Sequence, residues 1–298
     1  MSIQYFELDV ADVEQIDVTI LNTNTNRKIV QRLQVDEDGH FCEDGDYHIG
    51  GVKGTASQIK VTFVEPAGSM TNQLFPSGHR REEITVNSSI GEFTVAASMV
   101  DAANPFVFVD ETTMPTAWNT LDRLDGTSLS VIEAIRCAAA VRMGLAVDEK
   151  SAHLVRGTPK IALLSPSKST NVFADNSKHT ADIHVNSYSM GKPHPSFQLT
   201  GAVCLGAATS IPGTIASDIR ERAKLLTPPG TPPQETLDDG LLAESTLGRR
   251  TVTIEHSSGE IEAEVNLGKN SDGKITVEGV AVSRTARRLF EGNVLLRM

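Results

Sequence analysis

The chain is poor in cysteine, in long apolar runs and in cofactor motifs, and each shortage excludes something. Only Cys42, Cys137 and Cys204 occur, far apart and without a C-x-x-C pair. That excludes a disulfide framework and a structural zinc site and fits a reducing compartment, so a cytoplasmic location is expected. No charge-free run supplies the roughly 20 apolar residues of a membrane-spanning helix. The first ten residues, M-S-I-Q-Y-F-E-L-D-V, have neither a basic n-region nor an apolar h-region, and they are acidic without arginine. Neither a signal peptide nor a mitochondrial transit peptide is expected. G-x-G-x-x-G, the P-loop, H-E-x-x-H and G-x-S-x-G are all absent. No metal is expected either: Asp36, Asp38, Asp44 and Asp46 lack the D-x-D-x-D-G register of a calcium loop and read as solvated turns. Ser189, His194 and Asp101 have no spacing that would hold them together as a triad.

What is present is a chain of 298 residues, 39% hydrophobic, long enough for about two domains. Its net charge is −11, and residues 1–50 hold eleven Asp/Glu against three Lys/Arg. That balance repels phosphate backbones, so nucleic acid is not an expected partner. A small anion remains compatible, because a few local cations set the potential of a pocket.

The most distinctive stretch is Tyr188–Thr214, Y-S-M-G-K-P-H-P-S-F-Q-L-T-G-A-V-C-L-G-A-A-T-S-I-P-G-T, with no acid or base between His194 and Asp218. From Thr200 to Ile211 it is small or apolar all round, which demands a buried helix. Thr200 is its expected N-cap and Pro212-Gly213 its stop. The free N–H groups at the head of such a helix suit a carboxylate, with Lys192 and His194 close by. A buried helix without a ligand fits this stretch equally well.

Elsewhere, Val18–Leu21 and Ile29–Val35 form a hairpin pattern, and Ile59–Val64 alternates as a strand before the break at Glu65-Pro-Ala-Gly68. Phe93–Val100 and Phe106–Val109 are strands flanking a turn that contains Asn104-Pro105. Asn104 either binds a ligand or pins that turn. Leu129–Leu145 is an amphipathic helix, with Cys137 as a small core residue. Pro159–Leu164 and Ala181–Val185 are strands, Ala216–Leu226 a charged surface helix, and 228–233 a proline-rich loop. Arg250–His256 and Glu260–Val265 alternate about Ser257-Ser-Gly259 as a second hairpin. Ile275–Val282 is a strand, Arg284–Phe290 one or two helical turns, and Asn293–Leu296 closes the chain. The pattern is antiparallel β with one buried and one peripheral helix.

Five segments occur in an order that resembles one family: D-G-D-Y-H-I-G-G-V-K-G-T (44–55), V-D-A-A-N-P-F-V-F-V (100–109), S-M-G-K-P-H-P-S-F-Q-L-T-G-A-V-C (189–204), I-P-G-T (211–214) and R-T-A-R-R-L-F-E-G (284–292). The resemblance is to the methylaconitate cis-trans isomerases and methylitaconate Δ-isomerases, with the related aconitate and oxalomesaconate enzymes. It implies an α+β, diaminopimelate-epimerase-like fold with two β-barrel-like domains, each around a central helix. Residues 1–90 would be part of the first domain and 91–298 the second, with the last strand returning to the first. It also implies isomerisation of an unsaturated di- or tricarboxylate by allylic proton transfer, without a cofactor.

Carried onto this sequence, the expected carboxylate-binding residues are Asn104, Ser189, Met190, Gly191, His194, Thr200, Gly201, His256 and Gly259. The family's H-P-S-G loop is met here by H-S-S-G, with Ser257 in place of proline. Lys53 stands where the family has proline, and Ser57-Gln58 where it has Ala-Pro. The family's G-G-T-S-K-G segment, its lysine-bearing loop and N-C-G-N, which carry the expected acid/base groups, have no counterpart in the 298 residues. The chain therefore reads as a short, N-terminally truncated form. Cys204, in the second central helix, is the one remaining thiol candidate. The alternative is a non-catalytic carboxylate-binding paralogue or partner of a full-length isomerase. A purely structural β protein would not account for the ordered motifs. An uncovered first-domain sheet would favour self-association as a homo-oligomer.

Overall fold

A computed structural model describes residues 15–167, 170–172, 178–226 and 247–293. The first ten residues, the proline-rich loop 228–233 and residues 294–296 of the expected final strand lie outside the described residues. Among the described residues fourteen strands occur: β1 (Gln15–Asn22), β2 (Arg27–Gln34), β3 (Ile59–Val64), β4 (Glu82–Ser88), β5 (Gly91–Ala102), β6 (Asn104–Asp110), β7 (Lys160–Ser165), β8 (Thr170–Val172), β9 (Lys178–Thr180), β10 (Ile183–Ser189), β11 (Lys192–Pro193), β12 (Gly248–His256), β13 (Gly259–Lys269) and β14 (Ile275–Arg284). Among the described residues four α-helices accompany them: α1 (Gly126–Arg142), α2 (Glu149–Leu154), α3 (Leu199–Thr209) and α4 (Ile215–Leu226).

All strands but β8 and β9 join one sheet, in the order β1-β2-β3-β14-β13-β12-β10-β7-β6-β5-β4, with β11 paired to β10. The sheet is mixed rather than antiparallel, because β6 pairs with β7 and β10 with β12 in parallel. The parallel β6–β7 pair needs a long crossover, and α1 and α2 lie in the residues between those strands. β14 pairs with β3, so the last described strand returns to the N-terminal strands.

Alternation along the central strands divides their side chains between two cores. Val95, Ala97 and Met99 of β5, Val107 and Val109 of β6, and Ile161 and Leu163 of β7 pack with α1. The intervening Ala96, Val100, Phe106, Phe108, Ala162 and Leu164 pack with α3. Burial on both faces is why Phe106–Val109 reads as an unbroken apolar run. On the α1 side the helix is set by Asp125, whose carboxylate accepts from the Thr127 N–H. Val131, Ile135 and Ala139 supply its buried stripe.

α3 is buried from Gly201 to Thr209, and its small residues allow that depth. A Cβ on Gly206 would lie 2.8 Å from the Ala263 methyl of β13, closer than carbon atoms pack. Two expectations shift here. The N-cap is Gln198, not Thr200, and it makes no side-chain cap bond. Phe197 is buried against Phe106, ring centroids 6.1 Å apart, and this apolar anchor starts the helix before the threonine. α4 is not merely a charged surface helix, since Ile215, Ala216 and Ile219 are fully buried in the α3 core.

The Arg284–Phe290 segment forms no helical turn. Its backbone is tied sideways instead, with the Arg288 N–H donating to Glu43 at 3.1 Å. No helix among the described residues is long and apolar enough to cross a membrane.

Candidate functional site

Three segments far apart in the chain meet at the head of α3. The loop containing Gly50 and Gly51 lies directly on the β12–β13 turn, where a Cβ on Gly50 would stand 2.6 Å from the Glu260 nitrogen and one on Gly51 2.7 Å from Ser258 Cβ. The hydroxyls of Ser257, at 2.8 Å, and Ser258 donate to the Pro195 carbonyl of the segment leading into α3. Ser257, which replaces the family's proline, thus carries one of the two side-chain ties to that segment. The glycines are needed because backbone lies against backbone.

The segment entering α3 is itself anchored. The His194 N–H donates to the Ser187 carbonyl at 2.8 Å, and the buried Ser187 hydroxyl donates to Gln198 Oε1 at 2.8 Å. Gln198 Nε2 is buried and, among the described residues, has no hydrogen-bond partner. An unpartnered amide donor therefore sits beside a helix head without a side-chain cap, which is the polarity an anion completes.

The histidines add direction. His194 Nδ1 lies 2.7 Å from the Ser196 carbonyl and 3.3 Å from the Ser196 nitrogen, which folds the ring back on Ser196 and leaves Nε2 outside those contacts. His256 is buried at the end of β12. Its Nδ1 accepts the Ser258 N–H at 3.2 Å, so the neutral ring presents Nε2–H as a donor. Burial, then Arg284, His184 and His194, hold the His256 imidazole below its ordinary pKa. Of these three neighbours, Arg284 is the one that carries a full positive charge whatever the state of the imidazoles.

The other expected residues have different placements. Asn104 begins β6, two residues before Phe106, whose ring would lie 2.9 Å from a Cβ on Gly201. Its amide makes only a 3.5 Å contact with the Pro105 carbonyl. Gly201 is buried at that packing point, and Thr200 is half-buried in the first turn of α3. Gly259 sits at the start of β13 against Gly50.

Met190 and Gly191 form a two-residue hairpin turn that follows Ser189 at the end of β10. Met190 and Gly191 both take positive φ, 54° and 72°, and Ser189 pairs with Lys192. The tip points toward Arg156, whose guanidinium would meet a Cβ on Gly191 at 2.6 Å, while Met190 is exposed. Cys204 is fully buried with its thiol toward the Val100 carbonyl at 3.5 Å. Burial pushes that thiol well above its ordinary pKa, a setting for packing rather than nucleophilic chemistry. Asp101 lies in the core and accepts from the Met70 and Thr71 backbone N–H groups and from the Ser69 and Thr71 hydroxyls. It pins that loop and does not meet His194.

Ser187, Gln198 and His184 are neighbours of this corner that local sequence signals do not single out. Among the described residues two groups of metal-type ligands also occur. The Glu133, Cys137 and His153 atoms lie within 4.8 Å of one another. However, Arg136 donates to both Glu133 oxygens at 2.8 Å, and burial pushes the Cys137 thiol up to about 11. A guanidinium fills the place of a cation there. Asp36, Asp38 and His40 form the second group, on an exposed turn in which Asp36 accepts the Asp38 and His40 N–H groups.

The sequence profile of the PrpF protein family matches residues 9–226. The chain is 33% identical over 280 residues to YraM of Bacillus subtilis, covering 93% of this chain and 65% of that protein. It is 29% identical over 288 residues to the 2-methyl-aconitate isomerase of Shewanella oneidensis, covering 93% and 64%. It therefore spans under two thirds of the length of either relative. The crystal structure of methylitaconate-delta-isomerase superposes with a TM-score of 0.66 at 28% identity, over 95% of this chain and 67% of that one. With it the chain shares the α+β, diaminopimelate-epimerase-like fold.

Proposed function

The chain belongs to the PrpF family, and on that premise we propose that it serves the isomerisation of unsaturated di- or tricarboxylates of the methylaconitate or methylitaconate type. The reaction loses an allylic proton next to a carboxylate to a base, and the electron pair moves into that carboxylate as a dienolate. A proton then returns at another carbon, so the step is redox-neutral and needs no cofactor. Its requirement is a set of donors aimed at the developing oxyanion. The observation that carries this reading is the corner at the head of α3, where His256 presents Nε2–H and Gln198 Nε2 is unpartnered. His194, whose ring folds back on Ser196 through Nδ1, leaves Nε2 to meet the ligand.

In this reading the described site is the carboxylate- and enolate-binding part. Asn104, Thr200, Gly201 and Gly259 shape its walls, and the Ser189–Gly191 turn borders it. The boundary between its two lobes falls near residue 90, with β14 shared. The lysine loop and N-C-G-N that supply proton transfer in the family have no counterpart in the 298 residues, so this chain by itself binds substrate and turns it over weakly or not at all. That same gap favours a second reading, a non-catalytic binder of the same acids.

NMR of cis-aconitate in deuterated water with the purified chain tests both. Line broadening without deuterium incorporation is the expected result. Robust incorporation would overturn the inactivity, and no interaction at all would overturn the ligand class.

A further inference from the structure

Arg284 lies at the end of β14 and opens the R-T-A-R-R-L-F-E-G segment, but it is not among the carboxylate-binding residues expected from the sequence. Val280 and Val282 of β14 face the α3 core, and strand alternation puts Arg284 on that same face. The end of β14 that carries it is also the end where the β12–β13 turn ties to Pro195 ahead of α3. Arg284 and Ser283 line, with the 47–50 loop and the start of β13, a cavity of about 400 Å³. The guanidinium is half-buried, and among the described residues no carboxylate lies within ion-pair distance of it. Its one hydrogen bond is a long one, 3.4 Å to the Ser283 carbonyl. Glu260 and Glu262 also line the cavity, but they alternate with the core residues Ile261 and Ala263 and so project from the other face of β13.

An unpaired guanidinium withdrawn from water is costly, and unlike an imidazole it cannot escape by losing its proton. Burial does pull the Arg284 pKa below the ordinary arginine value, but the group stays charged near neutrality. A planar fork of donors lining the cavity, and close enough to His256 to act on its imidazole electrostatically, matches a carboxylate. Tyr47, half-buried, also lines the cavity.

We propose that Arg284 binds a second carboxylate of the ligand whose first carboxylate sits at the head of α3, so that the site selects di- and tricarboxylates over monocarboxylates. This deepens the reading above and rests on it. One group binds the carboxylate conjugated to the reacting carbons, and the other sets the length and charge of the acid accepted.

Calorimetric titration of the full chain with cis-aconitate and with crotonate, for wild type, R284Q, R284K and H256Q, tests it. R284Q is expected to weaken cis-aconitate about ten- to a hundredfold, as loss of a charge-assisted hydrogen-bond pair does, and to change crotonate less than about twofold. R284K restores part of the loss, because the charge returns without the fork. Unliganded R284Q keeps the wild-type unfolding midpoint or exceeds it, which a merely structural arginine would not allow. Equal cis-aconitate affinity in R284Q, with H256Q weakened, would overturn the Arg284 assignment and leave the α3 site standing. No cis-aconitate binding by the wild type would overturn both.

Discussion

Gly50 and Gly259, 209 positions apart in the sequence, are in van der Waals contact through their backbones. A methyl group on Gly259 would lie 2.8 Å from the Gly50 Cα. Gly259 also holds φ at +143°, a conformation side chains disfavour. The contact presses the 45–54 loop onto the β12–β13 turn, and so positions His256 and the cavity beside it.

Gly259→Ala tests that contact. Strain at the backbone and overpacking together predict a destabilisation of roughly 2–4 kcal/mol, read as a lower denaturant midpoint. Gly54→Ala, where φ is +83° but the space is open, is expected to cost less. Equal effects would show that crowding against Gly50 is not what matters.

His256 predicts a pH dependence. Its folded pKa is depressed by burial and by Arg284, His184 and His194, so below the ordinary value of 6.5 the unfolded chain binds the proton more readily. Its contribution to stability is therefore full above about pH 6.5 and declines as pH falls toward the depressed folded value. His256→Gln flattens the urea midpoint against pH over that window. A carboxylate bound beside the ring favours its protonated form, so cis-aconitate shifts the His256 ring resonance titration upward in NMR.

Buried thiols predict a labelling order. Cys42 is half-buried, while Cys137 and Cys204 are buried with thiols raised by burial. Iodoacetamide followed by mass spectrometry is expected to modify Cys42 first and Cys204 only in denaturant. Cys204→Ala should leave cis-aconitate binding within about twofold of wild type. Rapid native labelling of Cys204 would reopen a role for its thiol.

The Glu133–Arg136 pair predicts a structural loss. Both residues are buried. Burial would raise the Glu133 carboxyl, but Arg136 outweighs it and holds it below the ordinary value. Arg136 also donates to the Ala152 carbonyl at 2.7 Å, tying α1 to α2. Glu133→Ala strands that guanidinium and should cost about 3–5 kcal/mol in chemical denaturation. Replacing both residues with apolar ones should cost less than the single change.

Much of the fold is legible in the sequence because its signals are local. Ile59–Val64 alternates, Phe106–Val109 is apolar throughout, and Thr200–Ile211 has no polar face, and each forms the element its pattern demands. β4 is not legible: Glu82-Glu-Ile-Thr-Val-Asn-Ser has only Ile84 and Val86 as buried apolar residues, and its strand character comes from pairing with β5. The start of α3 is displaced from Thr200 because Phe197 finds a distant partner in Phe106. Arg284–Phe290 looks helical by composition, yet its backbone is held by Glu43.

The site divides in the same way. His194, Thr200 and Gly201 precede or open a helix whose burial follows from composition, so their gathering at its head is a local consequence of the chain. That His256 joins them, that the 45–54 loop closes on Gly259, and that Arg284 arrives unpaired at the same corner are decided by the β12–β13–β14–β3 pairing. Local sequence determined which residues form strands and the buried helix, because periodicity and side-chain size act within a few residues. Only the tertiary structure decided which charges meet, because strand order and register bring together groups that no local pattern relates.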